Sequence, residues 1–529
     1  MTTENNIPEW MKELWAWADE NYISEEKLPR DKDTLLKITK LDLSFSKLRE
    51  VPESIGYLSQ LKQLDLSYNS LTKLPESIGQ LSSLKRLDVG SNFLIQMPET
   101  IACLSQLKQL DLYHNELTEL PESIGDLSKL KVLNVSYNPL IKLPQSIGKL
   151  AKLKKIDLSK NKLTILPSSM HQLKKLNDID LENNPFIDLE QVIAHLPTQL
   201  KQLSLSCKKP NILLKNIDRL SNLKWLSLSG KNSIEFPKSI GELSQLKGLS
   251  LSGVTTISEN IGLLSNLREL DLYCSKLIQL PESIGNLSKL RQLKVYRGNL
   301  THLPESIGQL SQLKKLDLDY HKLVELPESI GQLSQLKKLH LKQNNLTKLP
   351  QSIGGLSKLR KIYLSENELI ELPESIGQLS QLEELSLWSN QLTDLPESIG
   401  HLSQLKKLDM AYNKITNLPI SMGKLSQLED LELCITNLNE LPKCVAQLHK
   451  LTRIRLGSDN FIDLSKVIDG LPISLKIFEL YCKQSYGLPE NIVRLSQLET
   501  LVVSGCKLPI LPASISQLSQ LKTLCLGDK

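Results

Sequence analysis

The sequence predicts an α/β solenoid, a right-handed horseshoe in which short parallel strands stack into a concave sheet and single helical turns return along the convex side. Three observations carry this reading. A 23-residue unit, LKQLDLSYNSLTKLPESIGQLSS at Leu61–Ser83, returns at Leu84, Leu107, Leu130 and Leu153. The frame L-x-x-L-x-L-x-x-N-x-L can be followed from Ile38 to Leu521, which gives about 22 strand-bearing units. Inside each unit an alternating apolar and polar stretch gives way to a Pro-Glu-Ser-Ile-Gly run, so the period changes from that of a strand to that of a turn.

A helix precedes the array. After Ile7-Pro8-Glu9, Trp10, Leu14 and Trp17, with Met11, Trp15 and Ala18, fall at three- and four-residue spacings, the pattern of an amphipathic helix. Three of the five tryptophans are spent here. Residues 1–36 are expected to form a cap over the first repeat, and 37–529 the array of about 22 units. Glu9, Glu13, Asp19 and Glu20 on this segment disfavour a helix lying on a membrane.

In the unit from Leu61, Leu64 and Leu66 alternate with Gln63, Asp65 and Ser67, as in a short strand with one buried face. Asn69 and its equivalents 92, 115, 138, 161, 184, 344, 367, 390 and 413 follow the strand. An amide there can donate and accept between neighbouring turns, so a buried ladder is expected. Leu74-Pro75-Glu76-Ser77-Ile78-Gly79 then suits one helical turn: Pro at its first position, Glu near its positive end, and Gly to end it. Ile78 and Leu81 close the core behind Leu64 and Leu66. A single unit cannot bury its apolar face alone, so stacking is obligatory.

The regularity breaks twice. Leu176–Leu200 and Leu451–Leu475 each stretch to 24 residues, 275 residues apart, and are followed by degenerate units in which Lys208, Lys231, Lys483 and Cys506 take the ladder position. Irregular units are therefore placed at 176–266 and 451–510, and the curvature is expected to change there. Around Leu501, Val503, Leu524 and Leu526 the sheet is expected to end in an open edge, which would fray or self-associate weakly.

Side chains following the inward leucines point onto the concave face. Nine of the twelve tyrosines occupy these offsets. The densest run is Tyr273, Tyr296, Tyr320, Tyr363, Trp388 and Tyr412, interleaved with Arg297, Lys338, His340 and Lys342. Exposed aromatics beside cations are what protein interfaces use as anchors, so these ten residues are the candidate partner-binding site.

The 64 basic and 59 acidic residues leave a net charge of +5, which does not argue for nucleic acid. The N-terminus lacks the basic start and apolar run of a secretory signal, and no stretch is apolar enough to span a bilayer. The eight cysteines are dispersed rather than gathered into capping disulfides, as expected of reduced thiols in a cytoplasm. No GxxxxGK[ST], HExxH, GxSxG or paired CxxC occurs, so no enzyme activity, cofactor or metal is expected. His321 sits at a ladder position and reads as a substitute hydrogen-bonding group.

The run LxxLxLxxNxLTxLPESIGxLSxL, nearly unchanged at Leu61, Leu107, Leu336, Leu359 and Leu382, resembles the intracellular leucine-rich repeat proteins of the Ras-group and Scribble type, over residues 38–529. The near-identity of units and the LPRDKDTLLKITKLDLS start are similar to bacterial members. That resemblance implies a non-catalytic scaffold presenting its concave face to a signalling protein such as a small GTPase. It further implies a protein that is cytoplasmic or translocated into a host cell without a classical signal peptide. A regulatory or inhibitory subunit of a partner enzyme is the alternative. The cysteine ubiquitin-ligase domain that one bacterial group carries after its repeats has no counterpart here, so that activity is not expected.

Overall fold

The computed structural model describes residues 7–207, 216–235, 238–273, 275–434, 436, 438, 441–457, 464–481, 488–504 and 511–527. The chain divides into two compact units, Met1–Gly253 and Val254–Lys529. In the first, strands run from Lys40–Asp42 to Trp225–Glu235, with Gly248–Thr256 beginning at its end. The second carries strands from Glu269–Tyr273 to Thr523–Gly527. Within each unit, neighbouring strands pair in parallel at matching positions, Leu64 beside Leu87 and Leu339 beside Ile362. Each unit is a leucine-lined solenoid with an open sheet, as the repeat predicts.

Why the chain turns where it does follows from the ladder amide. Asn69 donates from Nδ2 to the carbonyls of Leu43 (2.9 Å), Leu66 (2.9 Å) and Ser67 (3.2 Å), and its Oδ1 accepts from the Leu48 amide at 2.9 Å. Asn367 repeats the pattern on Leu341, Leu364 and Ser365, and accepts from Leu346. These amides are buried, as the sequence led us to expect. The residue just before the ladder position is left-handed in unit after unit: Tyr68 (φ 55°), His114 (φ 54°), Tyr137 (φ 54°), Tyr320 (φ 65°), Tyr412 (φ 57°). A non-glycine there costs about 1–2 kcal/mol. Hydrogen bonds to the next unit, such as Tyr68 N–H to Gly90 O at 2.9 Å, offset it.

Strand length tracks the ladder. Beside Asn69 or Asn367 the strand has 3 residues. Where Lys231 and Val254 stand at the ladder position, strands lengthen to 11 residues at Trp225–Glu235 and 9 at Gly248–Thr256. In these units the amide that ties the turn to its neighbour is missing and the backbone continues pairing, although Gly253 before Val254 still has φ 80°. Ladder positions Lys208, Lys483 and Cys506 lie outside the described residues, as do the side chain of Lys231 and the residues Cys274 and Cys482.

The return limb is a 3₁₀ turn, Glu76–Gln80 in the unit from Leu61, with Pro75 preceding it as the N-cap at φ −66° rather than occupying its first position. Two expectations for this limb need correction. Glu53 does not merely sit at a positive turn end: its carboxylate accepts from the Ser77 amide of the next unit at 2.8 Å and from the Glu76 amide at 3.2 Å. Gly79 is not needed for a left-handed stop, since Leu81 follows at φ −72°. A Cβ on Gly79 would lie 2.5 Å from the Thr100 carbonyl oxygen, so glycine is required by the close approach of successive limbs. In the two long units the extra residue accompanies an α-helix in place of the 3₁₀ turn.

The helices are α1 (Glu9–Glu20), α2 (Lys32–Leu35), α3 (Leu189–His195) and α4 (Leu464–Asp469), the last two in the long units. Met11, Leu14, Trp17 and Ala18 of α1 are buried, while Trp10 stacks on Tyr57 with ring centroids 5.1 Å apart. Trp15 donates from Nε1 to the Pro29 carbonyl at 2.9 Å, and Arg30 pairs with Asp19 at 2.7 Å. Asp31 caps α2, and Asp188 caps α3.

Deleting residues 1–36 should expose Leu41, Leu43, Ile55 and Leu58, which are at most 2% exposed. Aggregation or melting that starts in the first repeats should follow, read by hydrogen exchange. Gly331→Ala should cost about 1–3 kcal/mol in chemical denaturation, because its Cβ would meet the Ser352 carbonyl at 2.2 Å. Gly470→Ala, whose nearest neighbour would lie at 3.4 Å, should be nearly neutral.

Candidate partner-binding face

The predicted stripe lies on the open face of the second unit's sheet, and the structure resolves it into three groups. Tyr273 and Tyr296 meet edge to face at 6.1 Å, and Tyr296 meets Tyr320 at 5.3 Å. The Arg297 guanidinium stands 5.4 Å from the Tyr296 ring centre and 5.8 Å from that of Tyr320. His340 and Tyr363 form the second group at 4.7 Å, and Trp388 and Tyr412 the third at 5.6 Å. Tyr273 and Tyr412 are exposed and the intervening rings half-buried. Lys342 is engaged with Glu366 at 3.0 Å, whereas Lys338 is exposed. The ten residues thus share a face but pack locally, unit against unit.

Sequence reasoning counted Tyr68, Tyr113 and Tyr137 among the open-face tyrosines but missed two features, the way they pack and a cluster on the second unit. On the first unit's sheet a second aromatic row runs through Phe45, Tyr68, Tyr113, His114 and Tyr137, with Phe45 stacked on Tyr68 at 4.3 Å. Lys160 sits over the Tyr137 ring at 3.9 Å. Beside this row, register stacks carboxylate on carboxylate: Asp42, Asp65, Asp88 and Asp111 are successive cross-strand partners, with Asn134 next. The L-D-L-S spacing was the available signal. Burial first, then the Asp88 charge, raises the Asp111 carboxyl to about 6; burial also raises Asp180 to about 6.

The second missed feature is a cluster about His340: its ligand-capable atom and those of Asp317 and Asp319 lie within 4.8 Å of one another. His321, by contrast, behaves as expected: its Nε2 bonds the Val295 carbonyl at 2.8 Å and its Nδ1 accepts from the Leu300 amide at 3.3 Å. Burial lowers its pKa below the ordinary histidine value. Cys434 and Cys444 sit on a strand and a return limb, and burial pushes the Cys434 thiol up to about 12. Shallow clefts recur between Leu-Pro-Glu segments, one lined by Glu325, Pro327, Glu328 and Lys348, another by Glu119, Pro121, Glu122 and Lys142. Their repetition makes them a property of the unit rather than a site.

The comparisons with known proteins agree with this architecture. A family model described as a leucine-rich repeat region matches residues 30–114, 98–209, 198–294 and 301–412. No curated protein matches. Among solved structures, a leucine-rich repeat protein of Leptospira interrogans is 33% identical, with a TM-score of 0.59, over 80% of this chain and 98% of that one. The plant peptide hormone receptor RGFR1, solved in complex with RGF2, is 28% identical with a TM-score of 0.59, over 93% of this chain and 79% of that one. A TDR receptor is 25% identical with a TM-score of 0.58, over 94% of each. The chain belongs to the leucine-rich repeat family. Among the described residues no helix is long and apolar enough to cross a membrane.

Two pH effects of opposite sign follow. Asp111 has a folded pKa above its unfolded one, so its ionised form costs stability that is fully lost above about pH 6 and recovered as pH falls below the ordinary 3.8. Asp111→Asn keeps an acceptor, as Asn134 keeps one for the Ser136 amide at 3.0 Å. It should stabilise by about 1 kcal/mol at pH 7, discounted for solvent, and by nothing near pH 3.5 in denaturation curves. His321 has a lowered folded pKa, so its contribution is present above the ordinary 6.5 and lost as pH falls below it. His321→Asn should therefore flatten the drop in melting temperature between pH 7.5 and 5.5.

Proposed function

We propose that this member of the leucine-rich repeat family is a non-catalytic scaffold that binds a protein partner along the Tyr273–Tyr412 face. The carrying observation is the recurrence of packed aromatic groups, two of them beside a cation or an imidazole, on one side of one sheet. Rings already held by neighbouring rings lose little freedom when a partner covers them, which favours affinity. A structural neighbour solved with a peptide hormone supports the use of this architecture for polypeptide ligands. By resemblance the partner class is a signalling protein such as a small GTPase, met in a cytoplasm or, for a translocated effector, in a host cell. The same face would serve a regulatory or inhibitory subunit, and assay of a captured enzyme with and without the scaffold separates that reading.

Replacing Tyr296, Tyr363 and Trp388 together with Ala should lower melting modestly through the lost ring contacts but keep the fold, since all three lie outside the leucine core. Loss of specific partners from affinity purification of the native cell is the expected result. Undiminished recovery of every partner by the triple variant would show that docking occurs elsewhere.

A further inference from the structure

We propose that Asp317, Asp319 and His340 form a binding site for a divalent transition-metal ion of the zinc class on the open face of the second unit. The residues come together because the register demands it. Asp317 closes the strand Lys315–Asp317 and pairs directly with His340 on the strand Lys338–His340. Asp319 follows two residues on. His340 Nδ1 lies 3.8 Å from Asp317 Oδ2 and 3.8 Å from Asp319 Oδ2. Two donors bound at about 2.1 Å to one tetrahedral ion stand roughly 3.4 Å apart, so the two imidazole–carboxylate pairs need close by only about 0.4 Å, and the two carboxylates lie within 4.8 Å of each other.

An independent observation points the same way. In other units the equivalent aspartate spends Oδ1 on the amide two residues along: Asp65 on Ser67 at 3.0 Å, Asp157 on Ser159 at 3.0 Å, Asp409 on Ala411 at 3.1 Å. Asp317 does not. Its Oδ1 is buried with no hydrogen-bond partner, in a residue only 8% exposed, and His340 Nε2 is likewise buried and unpartnered. Asp319 Oδ1 is anchored by the Lys342 amide at 2.7 Å, which holds Oδ2 toward the imidazole. Asp317 is thus not committed to its own turn, and the oxygen it turns toward the imidazole Nδ1 is Oδ2; the unpartnered Oδ1 and Nε2 lie on the other side of each group and are not the atoms that would hold the ion.

The donor set selects the class of ion. Calcium takes six to eight oxygens and magnesium keeps an octahedral oxygen shell, whereas imidazole with two carboxylates suits zinc and its neighbours. Three protein donors would leave a fourth position for water or for a side chain of a docked protein. One group competes: the Lys315 ammonium lies 3.0 Å from Asp317 Oδ2. The ion must displace this ammonium from a largely covered carboxylate, so Lys315 is a true competitor for the site.

The test uses the full chain with its thiols alkylated, stripped of metal and titrated calorimetrically with zinc chloride, with no partner present. The wild type should show one saturable site that Asp317→Asn and His340→Ala weaken by about tenfold or more. Lys315→Gln should bind several-fold tighter, and this arm stands even if the other variants fold poorly. Equal stoichiometry and affinity across wild type, Asp317→Asn and His340→Ala, or no gain in Lys315→Gln, overturns the proposal. Because no partner is involved, the outcome is independent of the docking reading.

Discussion

The fold depends on one side-chain amide per turn. In each regular unit the ladder asparagine gives both amide protons to carbonyls of its own turn and of the preceding one, and takes an N–H from that preceding turn. Removing such a group from a dry interior would strand several backbone polar atoms together, each at about 1–3 kcal/mol. The amide also favours an early end to the strand by tying the turn to the preceding one, although Phe45 and Arg297 are left-handed before Ser46 and Gly298, where no amide stands. Where the amide is replaced by Lys231 or Val254, the strands run on to 11 and 9 residues. His321 is the informative substitution: a ring nitrogen on each side reproduces one donor and one acceptor, and its strand stays at 3 residues.

Parallel in-register stacking makes every choice at one offset a choice about a column. A leucine column buries itself. An aspartate column does not, because neighbouring carboxylates raise one another's pKa while burial disfavours their charge. The glycine of the return limb and the serine of the next form a third column, in which Gly308 faces the Ser329 carbonyl at a distance that would leave 2.5 Å for a Cβ. The Pro-Glu-Ser-Ile-Gly motif is thus an inter-unit contact set, Glu to the next serine amide and Gly against the next serine backbone, more than a local turn signal.

This explains what could be read from the chain. The alternation of Leu64 and Leu66, the buried amides and the helix from Glu9 were legible because each follows from local period or from the chemistry of one residue. The roles of Gly79 and Glu53 were not, since both act across the boundary to the next unit and look from within one repeat like turn chemistry. On the open face the aromatic offsets could be counted, yet the partition into three groups could not. Nor could the meeting of His340 with Asp317 and Asp319, because aspartate at that offset elsewhere is spent on its own turn.

The partition itself obeys a rule visible once register is known. Counting from the inward leucine that opens each strand core (Leu64 in the unit from Leu61), Tyr273, Tyr296 and Trp388 stand at offset three, Tyr320 and Tyr412 at offset four, and His340 and Tyr363 at offset one. Every ring contact in the stripe joins equal or adjacent offsets in neighbouring units. Offset four is the left-handed position, which turns its side chain outward at the rim, so Tyr320 and Tyr412 close their groups there. Offset one lies at the centre of the sheet, where the ring of Tyr363 meets an imidazole instead of another phenol. A partner covering this face would therefore meet aromatic anchors at the rim and a polar imidazole–phenol pair between them, which is the distribution that lets one surface combine affinity with discrimination.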